Sequence, residues 1–459
     1  MKRKLLALVL AAGKGTRFKS DRIKVLHPML GKPMIHLVVD CMHALRPEAV
    51  HIVVGHQKDE IMKEGFSKPV QFIHQEKQLG TAHAVLAAKK VLQSHKDNDV
   101  LVINGDLTLI RPETLRPMLE RHRREKNTLT FLTADMENPT GFGRVTYHEN
   151  NVIRIFEEKD ATPAQRKIKE VNVGVYLFKI DNLLKALPKI SDKNIKGEFY
   201  LTDIIEIMSQ REGRVGVHKA PTEQEIVGIN DRYELAQAVE ILRQRKIISL
   251  AKSGVTICDP STTWIDLDVK IGRDTTLYSS VILEGKTVIG QGCTIYPFVH
   301  VKDSRIGHDV KILSSTMIEE STIERGAQIG PFTHLRPKSQ VKSSAKVGNF
   351  VEMKNTVFGR GSKAGHLSYL GDAEISENVN IGAGTITCNY DGEKKHKTII
   401  GKGAFIGSGT EIVAPVRIGK DSYVGAGSTI TKNVSPGALA VSRSRQVEKP
   451  GWGKKKRKK

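Results

Sequence analysis

From Ile400 onward an aliphatic side chain falls on every sixth position: Ile400, Ile406, Ile412, Ile418, Val424 and Ile430. Gly401, Gly407, Gly419 and Gly425 directly follow four of them. The same beat runs through Ile271, Leu277, Leu283, Ile289, Ile295 and Val301. A period of six fits neither a helix at 3.6 nor an alternating strand. It fits a chain that turns a corner every six residues and stacks its coils, the hexapeptide β-helix pattern. Each aliphatic residue then points into a prism and stacks on its counterparts, and the small residue after it permits the corner. Coils about 4.8 Å apart would form three parallel sheets. Isolated Ile-Gly pairs in a β-sandwich would not hold one phase through six successive hits.

The periodic region runs from about 253 to 440, with about nine coils of 18 residues between Ile271 and Ile430. Its phase slips by one between Val301 and Ile306 and again between Ile318 and Ile323, then runs through Ile329, Leu335, Val341 and Val347. A break between Ile386 and Ile399, carrying Asn389-Tyr390-Asp391-Gly392, reads as a loop thrown out of the coil. Residues 1–230 have a different pattern. Continuous apolar runs at 5–10, 50–54 and 100–104 predict buried parallel strands, with helices at roughly 33–45, 57–64 and 80–93 between them. That alternation predicts a three-layer α/β domain with its ligand at the carboxyl ends of the strands. Residues 231–252 read as one linker helix capped by Asp231, leaving 253–459 as the second domain with a basic tail.

Composition changes this picture only in places. Lys and Arg total 72 against 50 Asp and Glu, a formal charge of +22, and the last six residues are all basic. Such a balance suits nucleotides and phosphosugars as well as nucleic acid or an acidic membrane, or is simply a solvated surface. Aromatics at 5% are too sparse for base-stacking platforms. The four cysteines have no CxxC spacing, which suggests free thiols and a reducing cytoplasm. No His-x-x-x-His zinc pattern occurs among the 16 histidines. Lys2 to Lys4 before Leu5–Ala12 imitate a secretory signal, but the apolar run ends at Gly-Lys-Gly-Thr-Arg with no small-x-small site. No run of about 20 apolar residues is present to span a membrane.

The first candidate chemistry follows the first strand, at Leu10-Ala11-Ala12-Gly13-Lys14-Gly15-Thr16-Arg17. It matches neither a dinucleotide fingerprint nor a P-loop. Glycines just after a strand still expose backbone N–H groups to anionic oxygens, and Lys14 and Arg17 add charge for a triphosphate. Lys24 lies a little further on, and Gln75 and Gln78-Leu79-Gly80-Thr81-Ala82 follow a later strand. Asp106 ends a buried apolar strand, where a carboxylate needs a cation; it suits Mg²⁺ bridging substrate phosphates.

These segments, with Lys24-Val25-Leu26-His27, Pro139-Thr140-Gly141-Phe142-Gly143-Arg144 and Glu157-x-Lys159-Asp160, resemble the motifs of sugar-1-phosphate nucleotidyltransferases. Joined to a hexapeptide half, the chain from about 5 to 452 resembles the bacterial bifunctional UDP-N-acetylglucosamine pyrophosphorylase/glucosamine-1-phosphate N-acetyltransferase family. The resemblance implies an α/β nucleotidyltransferase domain, Rossmann-like and three-layered, plus a C-terminal left-handed parallel β-helix. It implies that Leu10, Ala11, Ala12 and Gly13 hold the uracil and ribose side of UTP. Arg17 and Lys24 would act catalytically on triphosphate charge, and Gln75, Gly80 and Thr81 would read uracil. Gly143, Glu157 and Asn172 would hold N-acetylglucosamine 1-phosphate, with Asp106 and Asn230 on Mg²⁺ and Asn230 also at the substrate. The residue before Gly105-Asp106, often aromatic in the family, is Asn104.

In the second half Arg336 and Lys354 lie 18 residues apart, one coil, and should stack on one face. Stacked cations repel unless an anion lies between them, which suits a sugar phosphate. An aminosugar must lose a proton as its nitrogen attacks a thioester, and His366 is the natural general base. Its context, Lys363-Ala364-Gly365-His366-Leu367-Ser368-Tyr369, resembles the acetyltransferase motif of the same family. The resemblance further implies that Tyr369 and Asn380 contact the aminosugar. Ala383, Asn389, Tyr390, Ser408, Ala426 and Arg443 would line the acetyl-CoA site, with Trp452 closing over it. It also implies a cytoplasmic homotrimer with sites between neighbouring prisms.

The expected function is acetylation of glucosamine 1-phosphate, then uridylylation of the product with UTP and Mg²⁺, to give UDP-N-acetylglucosamine for cell-wall peptidoglycan and lipopolysaccharide. A second reading is a monofunctional nucleotidyltransferase with a structural or regulatory prism; His366 with Arg336, Lys354 and Tyr369 argues against it. A third is a nucleic-acid or membrane-surface binder using the basic tail. No specific nucleic acid and no membrane span are expected.

Overall fold

The structure, a computed structural model, describes residues 3–148, 151–210 and 213–453. The lysine run 454–459, on which the basic-tail reading depends, lies outside the described residues. The chain divides into two compact units, Met1–Leu242 and Arg243–Lys459.

In the first unit the apolar runs form the central strands of a mixed sheet. Across it the strands are Val215–Lys219, Leu129–Asp135, Glu170–Lys179, Asp99–Asn104, Leu5–Ala11, Ala49–Val54 and Gln71–His74. Leu5–Ala11 runs parallel to both its neighbours, whereas Glu170–Lys179 is antiparallel to both of the strands it separates. Alternate residues of Leu5–Ala11 feed different cores. Leu5, Ala7 and Val9 pack with Ile35, Val38 and Met42, while Leu6 and Leu8 pack with Val85 and Leu92. Two cores on opposite faces of one sheet make the three layers. The helix expected over 80–93 is two helices, Thr81–Ala87 and Lys89–Ser94, that break at Ala88. A hairpin, Gly143–His148 and Asn151–Phe156, joins the sheet where Gly143 faces Asn172. The helix Arg232–Lys252 is capped as expected, since Asp231 Oδ1 accepts the N–H groups of Tyr233 (2.9 Å) and Glu234 (2.8 Å).

The second unit is a prism of parallel ladders. One ladder passes through Leu277, Ile295, Ile312, Ile329 and Val347; a second through Leu283, Val301, Ile318, Leu335 and Met353; a third through Ile289, Ile306, Ile323, Val341 and Phe358. These inward residues are at most 2% exposed and form one continuous core. Burying each such side chain contributes roughly 1.5–3 kcal/mol, so the stack is the main source of the prism's stability. The slips of phase sit at one corner, between the second and third ladders. There Asp303, Glu320, Asn355 and Asp372 each take a positive φ of 41–49° in a tighter turn. The same slip recurs from Met353 to Phe358 and from Leu370 to Ile375, beyond the two read from the sequence.

One inward position differs from expectation. Ile386, read as the last aliphatic residue before the loop, is 41% exposed, and Thr387 points inward at 0%. The Thr387 hydroxyl accepts the Gly371 N–H at 2.7 Å and donates to the Gly371 carbonyl at 3.0 Å. A polar residue is tolerated inside because both of its hydrogen-bonding roles are satisfied.

Candidate functional sites

The first site lies at the carboxyl ends of the parallel strands. The backbone leaves Ala11, turns through Gly13, Lys14 and Gly15, and borders a cavity of about 600 Å³. Leu10 to Gly13, Lys24, Gln75, Gly80, Thr81 and Asp106 all line it. Leu10 pairs with Asn104, and the Gly105 N–H reaches the Leu10 carbonyl at 2.9 Å, so Asp106 emerges beside the glycine turn. Asp106 Oδ2 holds the Lys24 ammonium at 2.6 Å. Gly15 has φ +60°, and a Cβ there would lie 2.8 Å from Lys24 Cβ. Gly15→Ala is therefore expected to strain the turn and displace Lys24. The uridylyl transfer that the resemblance implies should fall about 10- to 100-fold, with the implied acetyl transfer unchanged, measured by separate assays of the two reactions.

Gln75 is 3% exposed and its Nε2 lies 2.9 Å from His83 Nδ1. Gly80 (φ +111°) lets the chain pass close to Phe199, whose carbonyl would be 2.5 Å from a Cβ. Thr81 Oγ1 accepts the Leu201 N–H at 2.9 Å. The segment 199–201 is thus bound to the wall that carries Gly80 and Thr81. Glu198, which the sequence reading did not single out, also lines this cavity.

Arg17 turns instead to Asn230, donating from Nη2 to Oδ1 at 2.6 Å. Neither residue lines the 600 Å³ cavity. Gly143, Glu157 and Asn172 come together apart from it: Gly143 pairs with Asn172, and Glu157 Oε1 would be 3.6 Å from a Gly143 Cβ. Asn172 donates to the Tyr176 hydroxyl at 2.7 Å. Burial pushes the Glu157 carboxyl above the usual range, opposed by the Thr202 hydroxyl that donates to Oε1 at 3.0 Å. Glu157 lines a second cavity of about 310 Å³ with Arg154, Asp203 and Tyr200.

Among the described residues no group of three or more His, Cys, Asp and Glu is arranged to hold a metal ion. The Asp106 carboxylate and Asn230 amide oxygen are hard donors. Each is of the kind Mg²⁺ takes, but here Asp106 Oδ2 holds Lys24 and Asn230 Oδ1 accepts from Arg17, and Asn230 does not line the cavity that Asp106 lines.

The second site is built where two long strands, Lys346–Lys354 and Lys363–Gly371, pass round a corner from the first ladder to the second. Their register sets His366 against Asn349 and Tyr369 against Glu352. His366 Nδ1 and Asn349 Oδ1 are 2.6 Å apart. An amide oxygen can only accept, so Nδ1 carries the proton and Nε2 is left as the basic nitrogen. The register continues from Ala364–Ile381, which stacks His366 over Ala383. Ser408 and Ala426 follow on successive coils: Gly409 N–H donates to the Ala383 carbonyl (2.7 Å) and Gly427 N–H to that of Ser408 (2.8 Å). Arg443 donates to the Ala426 carbonyl at 2.7 Å. His366 thus heads a column of small residues, the smooth track expected of a long thioester carrier.

Arg336 and Lys354 occupy successive coils on one face, as the 18-residue spacing predicts, since His334 and Leu335 pair with Glu352 and Met353. Arg336 Nη1 is 2.9 Å from Glu352 Oε1. The Lys395 ammonium, and then the Arg336 guanidinium, depress the Lys354 pKa below the ordinary lysine value. A third cation, missed in the sequence, therefore stands beside Lys354 from the loop. Tyr369 and Asn389 flank the same place, because a Cβ on Gly371 would lie 2.5 Å from the Tyr369 hydroxyl and 2.8 Å from Asn389 Nδ2. Asn380 stands in register with Lys363 and Phe405 on the first ladder, across the corner from Tyr369. Tyr390 is 59% and Trp452 60% exposed, and Lys449 Nζ lies 5.6 Å from the Trp452 ring centre.

Comparison with known proteins covers both halves of the chain. Residues 6–264 match the Nucleotidyl transferase family, and residues 397–432 match the bacterial transferase hexapeptide (six repeats) family. The chain is 46% identical over 450 residues to the Bifunctional protein GlmU of Geobacillus sp. strain WCH70, covering 98% of this chain and 97% of that one. It is 48% identical over 450 residues to the Bifunctional protein GlmU of Fervidobacterium nodosum, with 98% and 97% covered. It is 45% identical over 451 residues to that of Syntrophomonas wolfei, with 98% and 100% covered.

Proposed function

The chain belongs to the bifunctional GlmU family, and on that premise we propose how its residues divide the two reactions of UDP-N-acetylglucosamine synthesis. In the prism the amine of glucosamine 1-phosphate attacks the thioester carbonyl of acetyl-CoA. His366 Nε2 takes the amine proton, Asn349 holds the ring, and CoA leaves as its thiol. Arg336, Lys354 and Lys395 bind the sugar phosphate, Tyr369 and Asn380 contact the sugar, and CoA lies along Ala383, Asn389, Tyr390, Ser408, Ala426 and Arg443. The observation that supports this reading most is the register, which stacks His366 over Ala383 at the head of the small-residue column and sets Lys354 beside Gly371 on the same pair of strands.

In the first unit an oxygen of N-acetylglucosamine 1-phosphate attacks the α-phosphorus of UTP in line, and pyrophosphate leaves. Leu10 to Gly13, Gln75, Gly80 and Thr81 hold the nucleoside; Gly143, Glu157 and Asn172 hold the sugar. Lys24 and Arg17 offset charge on the phosphates. Asp106 and Asn230 would hold Mg²⁺, which supplies neutralisation of the triphosphate. Positioning and charge then carry the reaction, with no covalent enzyme intermediate.

The monofunctional alternative does not account for matches that cover both halves of the chain. A homotrimer is supported by a column of exposed apolar residues at one prism corner: Phe298 (65%), Phe332 (53%), Phe350 (55%) and Leu367 (61%). It is supported also by Tyr369 and Asn380 standing on different ladders of one chain. The cytoplasm suits the free cysteines Cys41, Cys258, Cys293 and Cys388. No described helix is long and apolar enough to cross a membrane.

A coupled assay tests the whole reading. Purified protein with glucosamine 1-phosphate, acetyl-CoA, UTP and Mg²⁺ is expected to release CoA and pyrophosphate and to form UDP-N-acetylglucosamine. Product formed without acetyl-CoA would overturn the two-reaction order. Removing Lys454 to Lys459 is expected to leave both rates unchanged at physiological salt, whereas a large salt-dependent loss would favour a polyanion partner.

A further inference from the structure

The three cations of the phosphate site reach it in different ways. Arg336 and Lys354 stand on ladder strands whose register is set by the core. Lys395 stands on the loop between Cys388 and Thr398, outside the coil, beside the like charge of Lys354. Something must hold that loop in shape before any anion arrives.

We propose that Asp391 is the positioning residue that aims Lys395 into the sugar-phosphate site. The inference rests on the reading above that Arg336, Lys354 and Lys395 take the phosphate. Asp391 Oδ1 accepts the N–H groups of Glu393 at 2.8 Å and Lys394 at 2.7 Å, and Oδ2 lies 2.6 Å from His396 Nε2. The Asp391 N–H donates to the Lys394 carbonyl at 3.2 Å. One carboxylate thus ties both sides of the residue that bears the ammonium. The Lys394 and Glu393 N–H groups and the His396 ring hold its carboxyl far below the usual range, so it remains an anion.

The clasp is anchored to the rest of the site. Tyr390 bridges to Lys395, and the His396 N–H reaches the Asn389 carbonyl at 2.7 Å. Asn389 Nδ2 donates to Asp372 Oδ2 at 2.5 Å, and the Asp372 N–H donates to the Lys354 carbonyl at 3.0 Å. An unbroken path of hydrogen bonds therefore runs from the clasp to the corner that carries Lys354. Asp391 itself touches no substrate in this arrangement; it acts through Lys395.

The test uses the full chain, whose uridylyl activity reports that the protein is folded. Asp391→Ala is expected to raise KM for glucosamine 1-phosphate about tenfold, the loss of one charge-assisted phosphate contact. Acetyl-transfer kcat and KM for acetyl-CoA should stay within about twofold, because a contact to the unreacting phosphate contributes equally to ground and transition states. Asp391→Asn keeps an oxygen for the Glu393 and Lys394 N–H groups and should restore most of the affinity. In a Lys395→Met background, Asp391→Ala should add nothing further. The proposal is overturned if KM for acetyl-CoA rises in place of KM for the aminosugar, or if the Asp391→Ala effect persists in full without Lys395. If Lys395→Met alone leaves KM for glucosamine 1-phosphate unchanged, the three-cation reading itself fails.

Discussion

His366→Ala is expected to slow acetyl transfer by about 10²- to 10⁴-fold and to leave uridylyl transfer within about twofold of the native rate. The amine of the acceptor must shed a proton as it forms the C–N bond, and without a base the positive charge stays on the tetrahedral intermediate. His366 is exposed, so a methyl in its place leaves no cavity and no buried partner unsatisfied. The Asn349 carbonyl oxygen that it releases is also in reach of solvent, which keeps the structural cost small. The loss should therefore appear in kcat, with KM for both substrates little changed. Uridylyl transfer, assayed with N-acetylglucosamine 1-phosphate supplied directly, serves as the internal control. Loss of both activities together, or of neither, would overturn the assignment of separate sites.

The prism was legible because its physics repeats. An inward aliphatic residue stacked on its neighbours imposes a period on the chain, and six hits in phase expose it. The same arithmetic stacked Arg336 over Lys354 correctly. It would also have found Asn349 and Glu352, which lie one coil, 17 residues, before His366 and Tyr369. The slips at Met353–Phe358 and Leu370–Ile375 escaped because the inward positions there include Met353, Phe358 and Ala364, which interrupt the run of Ile, Leu and Val that marks the beat. Thr387 escaped because a polar residue sits inside only through the local bonds it makes to Gly371. Lys395 had no register to betray it. Its position depends on a loop folded around Asp391, and nothing in a linear pattern of charges distinguishes it from Lys394 or Lys397.

In the first unit the strand ends were legible as buried apolar runs, and they correctly brought Leu10, Gly13, Gln75, Gly80 and Asp106 to one cavity. The antiparallel strand Glu170–Lys179 was not, since its apolar run resembles those of the strands that run parallel at the centre of the sheet. What the motifs hid was the pairing among polar residues. Arg17 reaches Asn230 across 213 positions, and Glu198 enters the cavity from a segment distant in sequence from the glycine turn. Such contacts are products of tertiary packing and leave no trace in local spacing.

Asp106→Ala is expected to reduce uridylyl transfer by about 10²- to 10³-fold while acetyl transfer continues unchanged, the mirror image of the His366 result. The Asp106 carboxylate is the partner of Lys24 at 2.6 Å, and the two side chains are only 23% and 16% exposed. Removing it has a double effect: the ammonium loses the contact that fixes its position, and the phosphates lose a carboxylate through which Mg²⁺ would be held. Asp106→Asn separates these effects. It retains an oxygen that can accept from Lys24 but lacks the charge, so Lys24 stays in place while metal affinity falls. Raising Mg²⁺ should then recover part of the Asp106→Asn rate and little of the Asp106→Ala rate. A carboxylate that mattered only for packing would give the opposite pattern, with Asp106→Asn fully active at ordinary Mg²⁺. Uridylyl activity of Asp106→Ala within about twofold of native would remove Asp106 from the reaction altogether.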